Sequence, residues 1–231
     1  MSSRATSETL QAARLLYELT RRDEVRVTIA NRPAILRNHS VGSVRLPSGK
    51  LCACDPITSA YDAVAFERQV APGTYPVEVF VAEFEDNDDQ RVAAALVHLA
   101  SARADDWEDA LWPGQDASTL GADGFYGYPV DAGTGCFASP EGLAQLADVL
   151  SQHYDHEPST SLDPLSAALE ATYIPTWGWA DFAVGGANVI AFHSGFGDGT
   201  YPTCWGLDSS ASPVCALTDF LVIDANATST A

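Results

Sequence analysis

From Ser7 to Arg22 the apolar residues Leu10, Ala13, Leu16, Tyr17 and Leu19 recur near the helical period behind Ser7, which predicts one capped amphipathic helix at the start of the chain. The pattern then changes to short alternating or apolar runs cut by Gly, Pro and Asp, the grammar of antiparallel strands and turns. Residues 41–46, the turn Pro47-Ser48-Gly49 and residues 51–54 read as a hairpin. Residues 75–84 and 92–99 read as a second, joined by a run of acids and amides at 85–90. Its second strand contains three consecutive alanines, so a helix is the alternative there. Ser139-Pro140-Glu141 predicts a helix with a Ser cap and Pro in its first turn, striped by Leu143, Leu146, Ala147 and Leu150. Asp163-Pro164 opens another to about Thr172. Strands at 189–193, 201–207 and 214–223 follow, and 224–231 reads as a frayed tail.

No linker composition divides the chain, so one domain is expected over 1–231: a helix at 7–22, a β-rich body at 25–223, and the tail. The predicted class is α+β, mainly antiparallel sheet forming a sandwich or partly open barrel, with two helices in the middle of the chain. Gly-Thr-Tyr-Pro occurs twice, at 73–76 and 199–202. It marks either two equivalent turns in a duplicated sheet or shared turn chemistry without common origin.

Charge narrows the partners. Twelve Lys and Arg stand against 31 Asp and Glu, a formal net charge of −19, and Lys50 is the single lysine. Such a field repels phosphate backbones and anionic lipid, so neither nucleic acid nor a membrane surface is an expected partner. No run approaches the roughly 20 apolar residues of a membrane span. Five cysteines, an odd number, and the polar start predict a cytoplasmic protein with reduced thiols. Most of the acid lies in runs such as 83–89 and 105–109, which read as solvated surface.

A few acids stand apart, framed by Gly or Pro near strand ends: Asp55, Asp131 and Asp198, with Asp208 and Asp219 beside them. Such loops let backbone approach a ligand closely, and a cluster of carboxylates can divide acid and base roles or hold a divalent ion. The alternative is that each Asp caps its own turn. Between His193 and Thr200 lie Ser194, Gly195, Gly197, Asp198 and Gly199, a concentration of backbone N–H groups suited to an anion, with His193 placed as a base. Neither a phosphate-binding P-loop nor a dinucleotide fingerprint is present, and nothing marks a nicotinamide or flavin site. His153 and His156 have chelating spacing but lack a third ligand. Cys52 and Cys54 read as core thiols; Cys136 reads as a buried thiol or as a nucleophile with His193 as its base.

At these motifs the chain resembles a family of bacterial and fungal proteins, domain of unknown function 4241. The residues that carry the resemblance are Leu46-Pro47-Ser48-Gly49-Lys50-Leu51 with Asp55-Pro56, then Pro72-Gly73-Thr74-Tyr75-Pro76-Val77, then Asp131-Ala132-Gly133-Thr134-Gly135-Cys136-Phe137. The fourth block is residues 194–202 with Trp205-Gly206 and Asp208. Phe196 stands where the family carries Trp, and the opening helix lies outside the similar region. The resemblance implies a single predominantly β domain and carries no activity with it.

Two functions follow as expectations. In the first, the chain is a small-molecule-processing enzyme, a hydrolase in its most concrete form. Asp55, Asp131, Asp198 and His193 are then the catalytic groups, and Ser194, Gly197, Gly199, Tyr201, Trp205 and Tyr75 line the substrate; an activating divalent metal is an open element of this reading. In the second, it is a non-catalytic acidic protein, of an immunity or regulatory kind, that engages a basic partner protein.

Overall fold

The computed structural model describes residues 7–22, 24–121, 124–158 and 161–223. The expected opening helix is α1 (Glu8–Thr20), capped by the Ser7 side chain, which accepts the Leu10 N–H. Strands follow in the order β1 (Val25–Ile29), β2 (Arg32–Leu46), β3 (Cys52–Cys54), β4 (Gly73–Phe84), β5 (Gln90–His98), β6 (Asp106–Asp109), β7 (Gly127–Val130) and β8 (Thr134–Ala138). Helices α2 (Pro140–His156) and α3 (Pro164–Glu170) precede β9 (Trp179–Val184), β10 (Ala187–His193), β11 (Gly199–Leu207) and β12 (Pro213–Asp219). No helix among the described residues is long and apolar enough to cross a membrane.

Two antiparallel sheets make the body, as the strand pattern predicts. The larger runs β1-β2-β4-β5-β12-β11-β6, with β7 also paired to β11; the smaller runs β3-β8-β10-β9. Contacts of β2 with β8, β9 and β10 bring the sheets face to face. Alternation along each strand sorts side chains between layers. On the small sheet Phe137, Ile190 and Phe192 join the main core, whereas Cys136, Ala138, Val189 and Ala191 face Leu143, Leu146 and Leu150 of α2 and Leu165 and Leu169 of α3. Helix α1 covers β6, β11 and β12 of the large sheet.

The alanine-rich run is strand, not helix, because as β5 it is fully buried between β4 and β12. The expected hairpin of residues 41–46 with 51–54 is not one. β2 pairs with β1 and β4, and β3 pairs with β8 in the other sheet, so Pro47-Ser48-Gly49 is a corner that carries the chain between sheets. β2 is instead hairpinned to β1 through Ala30 and Asn31, both at positive φ, the geometry of a two-residue primed turn without its usual Asn-Gly signature. The last strand ends at Asp219, short of the expected 223.

The register extends the Gly-Thr-Tyr-Pro echo into a structural repeat. Val77 pairs with Val97 and Phe80 with Ala94; in the second copy Thr203 pairs with Thr218 and Gly206 with Cys215. Each hairpin then skips one residue: Val81 pairs with Val92, passing over Ala93, and Leu207 pairs with Pro213, passing over Val214. The two skipped carbonyls reach across to the opposite hairpin, Ala93 accepting the Phe220 N–H at 3.0 Å and Val214 the Leu99 N–H at 2.9 Å. β5 and β12 pair about Leu96 and Leu217, and β3 and β8 about Ala53 and Phe137, so one local two-fold relates the halves in both sheets. Leu46 pairs with Gly73 as Val130 pairs with Gly199. Asp55-Pro56 and Ser139-Pro140 occupy equivalent places: Asp55 accepts the Thr58 N–H where Ser139 accepts the Gly142 N–H. After that turn the first half continues as loop, and the second grows α2.

Equivalent corners differ in crowding, which gives a direct check. Gly49 and Gly133 sit at φ +71° and +60°, but a Cβ on Gly49 would stand 2.1 Å from the Val70 carbonyl oxygen, whereas one on Gly133 meets nothing nearer than 3.8 Å. Gly133→Ala is expected to cost about 1 kcal/mol, the left-handed strain alone, and Gly49→Ala clearly more, because backbone cannot yield to the added methyl. Urea denaturation measures both; equal losses would contradict the corner geometry.

Candidate functional site

The three framed aspartates meet at one loop, residues 131–133, that turns the chain from β7 into β8. Asp55 has no exposed surface. Its Oδ1 accepts the N–H groups of Ile57 and Thr58 at 2.9 and 3.3 Å, and its Oδ2 those of Asp131 and Ala132 at 3.0 and 2.7 Å. Asp198 Oδ1 accepts the next amide, Gly133 N–H, at 3.0 Å. Three consecutive backbone donors are therefore held by carboxylates of the chain itself. The Asp131 side chain is exposed and enters the arrangement through its N–H.

Ser194, Gly197 and Tyr201 brace the same corner. Gly197 carbonyl accepts the Ser194 hydroxyl at 2.8 Å and the Tyr201 hydroxyl at 2.7 Å, while Ser194 N–H donates to Gly133 carbonyl at 3.0 Å. Tyr75 repeats the device in the first half, its hydroxyl donating to Ala71 carbonyl at 2.5 Å. A Cβ on Gly73 or Gly199 would come within 3.1 or 3.0 Å of the tyrosine two residues on, so these glycines make room for the folded-back rings. His193 Nδ1 accepts the Gly178 N–H at 2.8 Å and its ring meets Tyr173 edge-on. Cys136 lies against Cys54, Sγ to Sγ 3.6 Å, on the face toward α2, while His193 pairs with Thr134 two residues along; the structure does not join Cys136 to His193. The hydrogen bond shared with Cys136 and burial hold the Cys54 thiol far above its ordinary pKa. Among the described residues no group of three or more His, Cys, Asp or Glu is placed to hold a metal ion.

Asp208 accepts N–H groups from Ser210 and Ser212 and the Ser210 hydroxyl in the β11–β12 turn, and these bonds, the hydroxyl first, lower its pKa. Asp219 is different. It is buried at the end of β12, and burial lifts its pKa to about 6 against the single relief of the Leu221 N–H.

A second feature lies where the acid-rich run 105–109 forms edge strand β6. There a cleft of about 690 Å³ opens between β6, residues 67–68, α1 and the excursion that leads to β7. Among the described residues its walls include Glu67, Arg68, Glu108 and Asp109, with Trp107 and Trp205 as the aromatic ones. Trp205 is 1% exposed, and its ring packs edge-on against Phe66. The Arg68 guanidinium contacts Glu108 Oε1 at 2.5 Å. Of these residues only Trp205 stood out in the sequence. The signal for Trp107, Glu108 and Asp109 was Asp-Trp-Glu-Asp, an indole set among acids.

Fold and corner together define a class: a two-sheet antiparallel protein built from a twofold-repeated corner. The chain belongs to the protein family of unknown function DUF4241, whose model matches residues 44–218. No curated protein and no solved structure matches it.

Asp55→Asn leaves one acceptor where four N–H groups converge and adds a donor facing them. It should lower stability by roughly 3 kcal/mol, read as a fall in the urea midpoint; an unchanged midpoint would remove Asp55 from the architecture. For Asp219 the native carboxyl binds its proton more tightly than the unfolded one, so its favourable contribution is complete below about pH 4 and is lost as pH rises toward 6, on the order of 3 kcal/mol in all. Asp219→Asn should therefore stabilise the protein at pH 8 and have little effect at pH 4, as thermal melts at the two pH values would show; a pH-independent effect contradicts this.

Proposed function

We propose that this chain is a non-catalytic binding protein whose acidic surface engages a basic protein partner. The observation that carries this reading is how the few basic groups are placed. Arg26, Arg32, Arg37, Arg68, Arg91 and Arg103 are each in an ion pair with a carboxylate of the same chain. With these six arginines engaged inside the chain, the net −19 leaves an excess of acid for a partner to meet. Complementary charge raises association rates and selects against acidic competitors. A lysine- and arginine-rich peptide should bind in isothermal titration at low salt and weaken steeply as salt is added; absence of binding at low salt contradicts the proposal.

A hydrolase centred on Asp55, Asp131, Asp198 and His193 is the second reading, favoured by the convergence of the three aspartates on residues 131–133. Its cleanest probe is Asp198→Asn, an exposed member whose carboxylate accepts the Gly133 N–H. Loss of turnover on an ester or amide panel with an unchanged melting temperature would support it, and no turnover by the wild-type chain would oppose it.

A further inference from the structure

We propose that the face carrying Tyr173, Ile174, Phe196 and Leu221 is the docking surface for that basic partner, and that it takes a segment in which one large apolar side chain is flanked on both sides by lysine or arginine. This assignment rests on the partner-binding reading and gives it an address. The four side chains are between 38% and 57% exposed, and they make up half of the eight large apolar side chains left in solvent among the described residues. They come from three loops that meet. The Tyr173 ring lies edge-on to His193, three residues before Phe196. A Cβ on Gly195 would stand 2.9 Å from the Phe220 carbonyl oxygen and 3.0 Å from the Val222 side chain, which sets Leu221 beside the Phe196 turn. Single exposed apolar residues need no explanation, whereas a grouped set marks an interaction surface.

Charge selects the occupant. Arg91, whose guanidinium lies 5.3 Å from the centroid of the Phe196 ring, is paired with Asp89 at 2.7 Å, so its charge is met within the chain. Asp88, Asp131 and Asp198 are exposed and form no ion pair among the described residues. Asp88 lines the same small cleft as Pro175, next to Ile174. Asp198 stands two residues beyond Phe196, and its carboxylate holds the loop that carries Asp131. Acid therefore borders the apolar centre at its Ile174 end and at its Phe196 end, the complement of a basic–apolar–basic segment. The face also belongs to one half of the fold only. Counted from the repeated Gly-Thr-Tyr-Pro, Phe196 corresponds to Val70, which is half-buried against the core. Through the paired hairpins Leu221 corresponds to Ala100. Leu221 is held outward at φ +55°, a conformation that leucine rarely adopts and that Ala100 does not share.

The experiment is isothermal titration of the whole chain at low salt with the capped peptide Lys-Lys-Phe-Lys-Lys, and with the same peptide carrying Ala at its centre. The first peptide should bind. Replacing its Phe by Ala, or introducing Phe196→Ala or Leu221→Gly in the protein, should each weaken binding about tenfold. Leu221→Gly also suits the left-handed backbone, so the fold is kept in that variant. Asp88→Asn combined with Asp131→Asn should flatten the salt dependence, and Val64→Ala, at an exposed apolar side chain outside the three loops, should bind as the wild-type chain does. Wild-type affinity in both Phe196→Ala and Leu221→Gly would overturn the assignment. If the basic peptide still binds those variants in a salt-dependent manner, this face is not the receptor but the basic-partner reading stands; if no basic peptide binds the wild-type chain, both fall. A dimer seen in sedimentation and lost in Phe196→Ala would also overturn the assignment, because a second copy would then cover the face.

Discussion

A carboxylate with no exposed surface, that of Asp55, ties the first half of this protein to the second. Buried acids are costly unless every lone pair finds a donor, and Asp55 meets that condition with four backbone N–H groups, two from its own turn and two from residues 131–132. The arrangement fixes the corner between β7 and β8, and through Gly133 the same loop meets Asp198 and Ser194. Much of what surrounds β8 and the start of β11 therefore depends on one side chain that follows a three-residue strand.

The local two-fold explains why so many Gly, Asp and Tyr residues looked functional. The family-like blocks at 46–51 and 72–77 build one corner, and those at 131–137 and 194–202 build its counterpart. In each, a positive-φ glycine turns the chain and a tyrosine folds back to hydrogen-bond a carbonyl four residues earlier. A motif used twice in equivalent positions is first a building device. Chemistry particular to one end is better sought where the copies diverge, as they do at the exposed Phe196 and Leu221.

Much of the fold was legible in residue order. Helical periodicity and Ser or Asp caps marked α1, α2 and α3, and alternation marked β4, β10 and β11. Pairing was less legible, because the turn at Pro47-Gly49 has hairpin chemistry whether its strands pair with each other or pass to different sheets. Short β6 and β7 carried too few residues for alternation to register. For the candidate sites, sequence singled out Asp55, Asp131 and Asp198 as exceptional acids, and the structure brings them to one loop. It did not reveal that their partners are main-chain N–H groups, which leave no trace in side-chain identity. Glu67, Arg68, Glu108 and Asp109 were hidden for the opposite reason: charged residues in an acidic run look like ordinary solvated surface until the fold sets them around Trp107 and Trp205.

The central claim, that the Asp55 carboxylate joins the halves as an architectural bond, is tested most directly by amide hydrogen exchange at Asp131 and Ala132. Both belong to an irregular corner between strands, and Asp131 carries an exposed side chain, so an unbonded loop there would exchange rapidly. Protection matching that of the β5 and β12 amides around Leu96 and Leu217, released only by global unfolding, is the expected result. Exchange at rates of an open loop would contradict it.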